Sequence, residues 1–276
     1  MADRRPRVSI IVVTMNTPGW TRACLNSVLQ NTSVPYELIV VNNSRALKIR
    51  QCLMKFKGIR VIQNPRNLGY SKAANQGALA ARGEFLCFLN SDTLVPPRWM
   101  ERLLAAARKP KVGAVGPISQ RGHRCYYRWP RPGVPANEVV TALADEAFER
   151  RERNRFEPVP FLFGFCLLIP RAVLEHIGLF DERFFFGFED LDYCLRLRES
   201  GYSLLRVRSV FVHHQNRGSS QPERYRRLIQ ETEKQFVTKW RTLLGVRHSN
   251  FMRLYREQSR LKTPRQITTE PGSHSA

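Results

Sequence analysis

Apolar runs in the first part of the chain repeatedly stop at small polar side chains. Val8–Val13 ends at Thr14-Met15-Asn16, and Tyr36–Val41 ends at Asn42-Asn43-Ser44. Ile59–Ile62 leads to Asn64-Pro65, and Phe85–Leu89 leads to Asn90-Ser91-Asp92-Thr93. Unbroken apolar runs of this length fit strands covered on both faces. Helical segments fall between them. Thr17 is placed to cap a helix that Pro18 opens, with Ala23, Leu25, Val28 and Leu29 as its apolar stripe. A short helix is expected from Ala46 to Phe56, and a small-residue, closely packed helix from Ser71 to Ala81. Pro97 starts another helix, through Ala107, and Val112–Val115 reads as a further strand. Strands alternating with helices through short connections predict an α/β fold, a parallel sheet with helices on both faces.

Ligands of open α/β sheets bind outside the carboxyl ends of the strands, so the polar strand ends should share one functional rim. Asp92, flanked by Asn90, Ser91 and Thr93, is suited to seat a divalent cation carrying phosphate. The same residue types also suit a plain turn.

From Ser119 to Pro160 the alternation stops. Arg121, Arg124, Arg128 and Arg131 interleave with Tyr126, Tyr127 and Trp129, and a charged helical stretch follows around Glu138–Arg155. Such a mixture can stack on nucleotides or sugars, or form a solvated loop. Phe161–Ile169 reads as a strand in which Gly164 lets a ligand approach the backbone. A short helix over Arg171–His176 and a turn at Gly178–Asp181 precede a helix carrying Leu191, Cys194, Leu195 and Leu197 inward. Strands over Ser203–Val207 and Val210–Val212 then end at His213-His214. The long helix after Ser220 carries Tyr225, Leu228, Ile229, Phe236, Val237, Trp240, Leu243 and Leu244. The expected organisation is a nucleotide-binding domain over 1–220, a basic amphipathic helical extension over 221–262 and a disordered tail over 263–276.

Composition narrows the partners. The 276 residues are 42% hydrophobic and 25% charged, as in soluble globular proteins, but the formal net charge is +22. That field favours nucleic acids, anionic membranes, or phosphorylated and lipid-linked acidic substrates. Gln221–Lys262 holds eleven Lys/Arg against four Asp/Glu, a net +7. The helix there could lie on an anionic membrane or simply close the domain. The six cysteines form no CxxC pair and are expected to be reduced and buried, in a cytoplasmic protein. No small-residue cleavage site follows Val8–Val13, so that run reads as a core strand rather than a signal peptide. Phe161–Ile169 is too short to span a bilayer. The location expected is therefore cytoplasmic, with peripheral attachment at the inner face of the plasma membrane as an option. Neither GxGxxG after the first strand nor a Walker loop occurs, which argues against NAD enzymes and P-loop ATPases.

Asp92 at a strand end, Glu189-Asp190 at a helix start and His213-His214 at a later strand end form an ordered set. In that order and context they resemble the family 2 glycosyltransferases of GT-A fold. The resemblance runs from Val8 to Ser220. It rests on Val8–Asn16, on Asn64-Pro65-Arg66-Asn67-Leu68-Gly69-Tyr70 through Gly77, on Leu89-Asn90-Ser91-Asp92-Thr93 as a variant DxD motif, and on Gly178–Asp181 through Phe188-Glu189-Asp190-Leu191-Asp192. It implies a nucleoside-diphosphate sugar donor contacted by Thr14, Asn16, Asn42, Asn67, Gly69, Asn75, Asn90, Ser91 and Asp92. It implies Mg²⁺ or Mn²⁺ on Asp92 and a histidine of the pair, with His213 favoured. It makes Asp190 the general base, beside Glu189, of an inverting displacement. Asp192 is expected to be a plain first-turn acid.

The chain departs from the family pattern at Asn42, where an acid often reads uracil, and at Asn90 and Ser91 of the DxD-like segment. No QxxRW motif of processive synthases is present, which points to transfer of one sugar from a dTDP- or UDP-sugar. A surface polysaccharide, lipid-linked glycan or protein glycan is the acceptor so implied. The competing reading is a basic nucleic-acid-binding protein, and a non-catalytic relative is a third. Nucleic acid as partner is disfavoured because it leaves the ordered acids and histidines without a role.

Overall fold

The computed structural model describes residues 6–119, 137–215 and 222–244. The first half alternates as its sequence pattern predicts: β1 (Val8–Thr14), α1 (Pro18–Asn31), β2 (Tyr36–Asn42), α2 (Leu47–Leu53), β3 (Ile59–Gln63), α3 (Tyr70–Ala80) and β4 (Phe85–Asn90). A short β5 (Thr93–Leu94), α4 (Trp99–Ala107) and β6 (Val112–Ile118) follow. The second half comprises α5 (Glu138–Glu152), β7 (Phe156–Pro158), β8 (Cys166–Pro170), α6 (Arg171–Ile177), α7 (Glu189–Glu199), β9 (Ser203–Phe211), β10 (His213–His214) and α8 (Pro222–Leu244).

The main sheet has eight strands in the order β3-β2-β1-β4-β8-β6-β9-β7. Strands β3, β2, β1 and β4 are parallel, as expected. The sequence pattern did not specify the direction of β8, which lies antiparallel between β4 and β6. Only the second half of the Phe161–Ile169 run pairs as a strand; Phe161–Phe165 passes the strand ends, where the Phe165 carbonyl accepts the Asn90 N–H at 2.9 Å. The two strands expected between Ser203 and Val212 are one strand with an irregularity. Its register on β6 jumps from Pro117↔Val207 to Ile118↔Phe211, which absorbs Arg208–Val210.

Strand side chains alternate between the faces. Val8, Ile10 and Val12 point into one core layer with Leu25, Val28, Ile49 and Trp99. Ile11, Ile39 and Val41 point into the other, with Ala73, Ala74, Leu191, Phe236 and Trp240. On that second face a Cβ added at Gly77 would come within 2.4 Å of Ile11 Cγ2, so the lack of a side chain sets how closely α3 approaches the sheet. Phe236 and Trp240 of α8 belong to the same core. The described part of the expected extension, Pro222–Leu244, thus packs on the sheet domain through these two buried aromatics. Helix α5 covers β9, with Phe148 stacked on Phe211. There Asp145 accepts hydrogen bonds from Arg102 and from the Phe211 N–H, while burial pushes its carboxyl up to about 6.

Cys24, Cys52, Cys87, Cys166 and Cys194 are free and buried. No helix among the described residues is long and apolar enough to cross a membrane. The Arg/Tyr/Trp segment from Arg121 to Arg131 and the expected tail over 263–276 lie outside the described residues.

Candidate active site

The rim at the ends of β1, β2 and β4 carries the expected polar residues. After β4 the chain turns tightly, with Thr93 Oγ1 donating to the Asn90 carbonyl at 2.8 Å. This places β5 antiparallel to β10, in the register His213↔Leu94 and His214↔Thr93. The Gln215 N–H donates to the Asp92 carbonyl at 3.0 Å and extends the pairing. The ladder brings His214 Nε2 to 3.2 Å from Asp92 Oδ1 and 3.3 Å from Asn90 Nδ2. Phe165 stacks on the His214 ring at 5.1 Å.

Neighbouring strand residues face opposite ways, so His213 lies on the other side. It is buried, stacked on Trp20, with Nε2 3.4 Å from Gln215 Oε1. His214, rather than the favoured His213, is therefore the histidine beside Asp92. No group of three or more His, Cys, Asp and Glu able to hold a metal occurs among the described residues. One carboxylate and one imidazole still fit a cation that takes its other ligands from phosphate oxygens and water.

The second acidic element sits on a constrained turn. Gly187 has φ +81 and Phe188, a non-glycine residue, has φ +67 immediately before Glu189. This aims the start of α7 at the segment before β8. Asp190 Oδ2 accepts the Gly164 N–H at 2.8 Å, and Oδ1 accepts the Leu191 N–H at 2.8 Å. Gly164 is needed for an approach other than the one expected. A Cβ there would lie 3.1 Å from Asp190 Cβ and 3.3 Å from Oδ2, so the Asp190 carboxylate itself fills that space. Burial raises the Asp190 pKa, and the two backbone hydrogen bonds oppose the rise.

Glu189 is buried beside it, and Oε2 has no hydrogen-bond partner among the described residues. Burial first, then the neighbouring Asp190 charge, pushes its carboxyl up to about 8. The Tyr70 hydroxyl is raised well above its usual value, by burial and then by the charges of Glu189 and Asp190. Tyr70 lies in the Asn64–Gly77 segment of the sequence, but only the fold brings it beside α7.

The expected donor contacts divide. Asn16 has φ +53 and its Oδ1 accepts the Ser44 hydroxyl, tying the ends of β1 and β2 together. Thr14 is buried and shares a 2.6 Å hydrogen bond with Thr21. Asn42 is fully buried, donating to Gln63 Oε1 at 2.8 Å and accepting the Ser44 N–H at 3.1 Å. Its neighbour Asn43 is the hub that sequence reading missed. Asn43 donates to Asn67 Oδ1 and to the Gly69 carbonyl, and accepts from Leu68 N–H and Asn64 Nδ2. These bonds shape the 64–69 loop, where Gly69 has φ +84 and a Cβ would sit 2.7 Å from the Phe185 carbonyl. Ser91 is half-buried on the rim beside Asp92. Asn75 lies elsewhere: its amide donates to the Phe180 carbonyl and accepts the Phe180 N–H, clasping α3 to the turn before α7.

Asp192 is more than a first-turn acid. It is completely buried and accepts from Arg196 Nε and Trp240 Nε1, each at 2.9 Å, while pairing with Lys239. It fastens α8 to α7.

The model of the family described as "Glycosyl transferase family 2" matches residues 9–178, more than half of the chain. The chain belongs to glycosyl transferase family 2. The match includes Asp92 and stops short of Asp190 and His214. A relative named O-antigen biosynthesis protein RfbC, from Myxococcus xanthus, is 30% identical over 76% of this chain; the chain covers 17% of that much longer protein. A Mycobacterium tuberculosis protein named N-acetylglucosaminyl-diphospho-decaprenol L-rhamnosyltransferase is 27% identical over 88% of this chain and 86% of its own length. Among solved structures, the Pyrobaculum calidifontis mannosyltransferase PcManGT, in complex with GDP-Man and Mn²⁺, has TM-score 0.60 at 20% identity, over 85% of this chain and 65% of that one. GalNAc-T7 with UDP, GalNAc and Mn²⁺ has TM-score 0.59 at 21% identity, over 83% and 48%. The fold of this family 2 chain is thus the GT-A fold.

Proposed function

We propose that this family 2 protein transfers one sugar from a nucleoside-diphosphate sugar to a hydroxyl acceptor, with inversion at the anomeric carbon. The observation that carries the reading is the pairing of Asp92 with His214 on the same strand-end rim that Asn16, Asn67 and Ser91 border. These two side chains would hold Mg²⁺ or Mn²⁺ on the diphosphate. The bound cation would offset charge developing on the departing diphosphate. The structural neighbours solved with Mn²⁺ and nucleotide ligands support that role.

Asp190 is the general base in this reading. The Gly164 and Leu191 N–H groups hold both of its oxygens, and burial raises its pKa towards the range where a base works best. It takes the acceptor proton as the hydroxyl oxygen attacks. Burial and the neighbouring Asp190 raise the Glu189 pKa, which favours its protonated form and limits negative charge beside Asp190. Asn67 and Gly69 form a loop, shaped by Asn43, that would border the donor. Asn42 reaches a base only by giving up bonds to Gln63 or Ser44, which favours neither dTDP nor UDP.

The relative named as a rhamnosyltransferase supports a deoxysugar donor and a lipid-diphosphate acceptor. A strongly cationic chain suits such an acceptor, and the outward Arg227, Lys234 and Arg241 of α8 suit an anionic surface. The test is calorimetric binding of UDP, dTDP, GDP and CMP with and without Mn²⁺. Metal-dependent binding of one diphosphate, lost in Asp92→Ala, is the expected result. Binding of none of them, with salt-sensitive binding to RNA or DNA instead, overturns it.

A further inference from the structure

We infer that α8 is a positioning element for Asp190, acting through Phe236, Lys239 and Trp240; the inference rests on the reading of Asp190 as the base. The segment from Asp181 to Asp192 presents the Glu189-Asp190 pair, and α8 grips it at both ends and in the middle. Lys239 Nζ donates to Asp181 Oδ2 at 2.8 Å and pairs with Asp192 Oδ1. Trp240 Nε1 donates to that same Asp192 oxygen. Between these anchors, Phe236 is fully buried against Phe184 at 6.1 Å and Phe188 at 5.3 Å between ring centroids.

Phe188 is the residue that needs holding. It adopts φ +67 directly before the acidic pair, a conformation an aromatic residue keeps only when its surroundings impose it. Phe236 supplies that surrounding from one side. A relaxed Phe188 would rotate the first turn of α7 and draw Asp190 Oδ2 off the Gly164 N–H, where a side chain on Gly164 would meet the same carboxylate. Lys239 meanwhile neutralises two carboxylates that bracket the turn. Burial alone would raise the Asp181 pKa, but hydrogen bonds from Arg183 and Lys239 more than offset it and hold the group ionised. The three α8 side chains hold Asp181, Phe184, Phe188 and Asp192, and through the backbone of that turn α8 is coupled to the base.

The experiment uses the full chain with Trp240→Phe, which deletes the N–H donor and leaves a smaller aromatic ring in the core, and Lys239→Met as a second variant. Hydrogen exchange is followed at the Gly164 and Leu191 amides, with the Ile11 and Ile39 amides of the central sheet as references. At least tenfold faster exchange at Gly164 and Leu191, with unchanged references, is expected. Exchange unchanged from wild type at all four sites overturns the inference, and so does uniform loss of protection at all four, which marks general destabilisation.

Turnover is read in parallel, as release of dTDP from dTDP-L-rhamnose and of UDP from UDP-N-acetylglucosamine, with water as the hydroxyl acceptor of the sugar. The expected pattern is a kcat at least tenfold lower with the donor KM within twofold of wild type. An unchanged kcat in Trp240→Phe overturns the inference. Asp190→Asn separates the two levels. If it is inactive while Trp240→Phe is fully active, only the positioning role fails. If Asp190→Asn turns over normally, the base assignment fails and the inference with it. Should the wild type release neither diphosphate, the donor reading fails and the exchange data alone decide the positioning.

Discussion

Asp92 Oδ1 and His214 Nε2 lie 3.2 Å apart, joined across a ladder of only two residues per strand. The pair exists because β5 and β10 meet antiparallel, with His213 opposite Leu94 and His214 opposite Thr93. Replacing Asp92 or His214 with Ala should weaken the Mn²⁺-dependent part of diphosphate binding by ~100-fold, since a bound cation contributes several kcal/mol. His213→Ala should leave that binding nearly intact while lowering Tm, because His213 packs on Trp20. Calorimetry with and without Mn²⁺ on the three variants checks both statements. Stronger loss in His213→Ala than in His214→Ala would reverse the assignment.

Asp190→Asn keeps the side-chain size and the Gly164 hydrogen bond while removing the base. Turnover should fall by ~10²–10⁴-fold with donor affinity little changed. Steady-state kinetics beside equilibrium binding of the diphosphate separates the two effects.

The acid pair makes activity and stability depend oppositely on pH. Asp190 must be ionised to accept a proton, and burial raises its pKa, so kcat should fall on the acid side above the usual aspartate range. Glu189 has a folded pKa of about 8 against an ordinary 4.5. A raised carboxyl pKa means that the folded state holds the proton more tightly than the unfolded chain. Its stabilising contribution is complete below the unfolded value and is lost as pH rises from 4.5 through about 8. Glu189→Gln should therefore flatten the decline of Tm across that window and be the more stable form at alkaline pH. Thermal melts from acid to alkaline pH decide it; identical pH dependence in both proteins would refute the burial argument.

Gly164→Ala places a methyl group 3.1 Å from Asp190 Cβ. The contact is tight, so the carboxylate must shift or the turn must give. We expect a loss of ~1–2 kcal/mol in stability and a larger proportional loss in kcat than in donor binding. A variant with wild-type kcat would show that the Gly164–Asp190 approach has slack.

Asn43→Ala removes a side chain with four hydrogen-bonding contacts to Asn64, Asn67, Leu68 and Gly69. Buried partners left unsatisfied cost about 1–3 kcal/mol each before relaxation. The loop should loosen, so donor KM should rise more than kcat falls. Tm and donor KM measured on the same preparation test this, and an unchanged KM would remove the loop from the donor site.

Much of the first half was legible because local signals agreed. The apolar runs of β1, β2 and β4, the Pro18 helix start and the small residues of α3 all point to one arrangement. Asp92 and the Glu189-Asp190 pair stood out because their residue types mark a strand end and a helix start. An amide in a motif does not reveal whether it faces ligand or protein; in the fold Asn75 clasps the Phe180 turn. Asp192 looked like helix-dipole charge because Lys239 and Trp240, its partners, lie on a distant helix.

The sequence by itself therefore determined the alternating α/β layout, the polar rim and the identity of the acidic groups, since each depends on short-range periodicity and turn chemistry. Only the tertiary structure decided that β8 runs antiparallel, that α8 joins the core, that Gly164 approaches Asp190 and that His214 faces Asp92. Those outcomes depend on strand register and on contacts between remote segments. A shift of one residue in register turns every side chain to the opposite face, and the difference between His213 and His214 is such a shift.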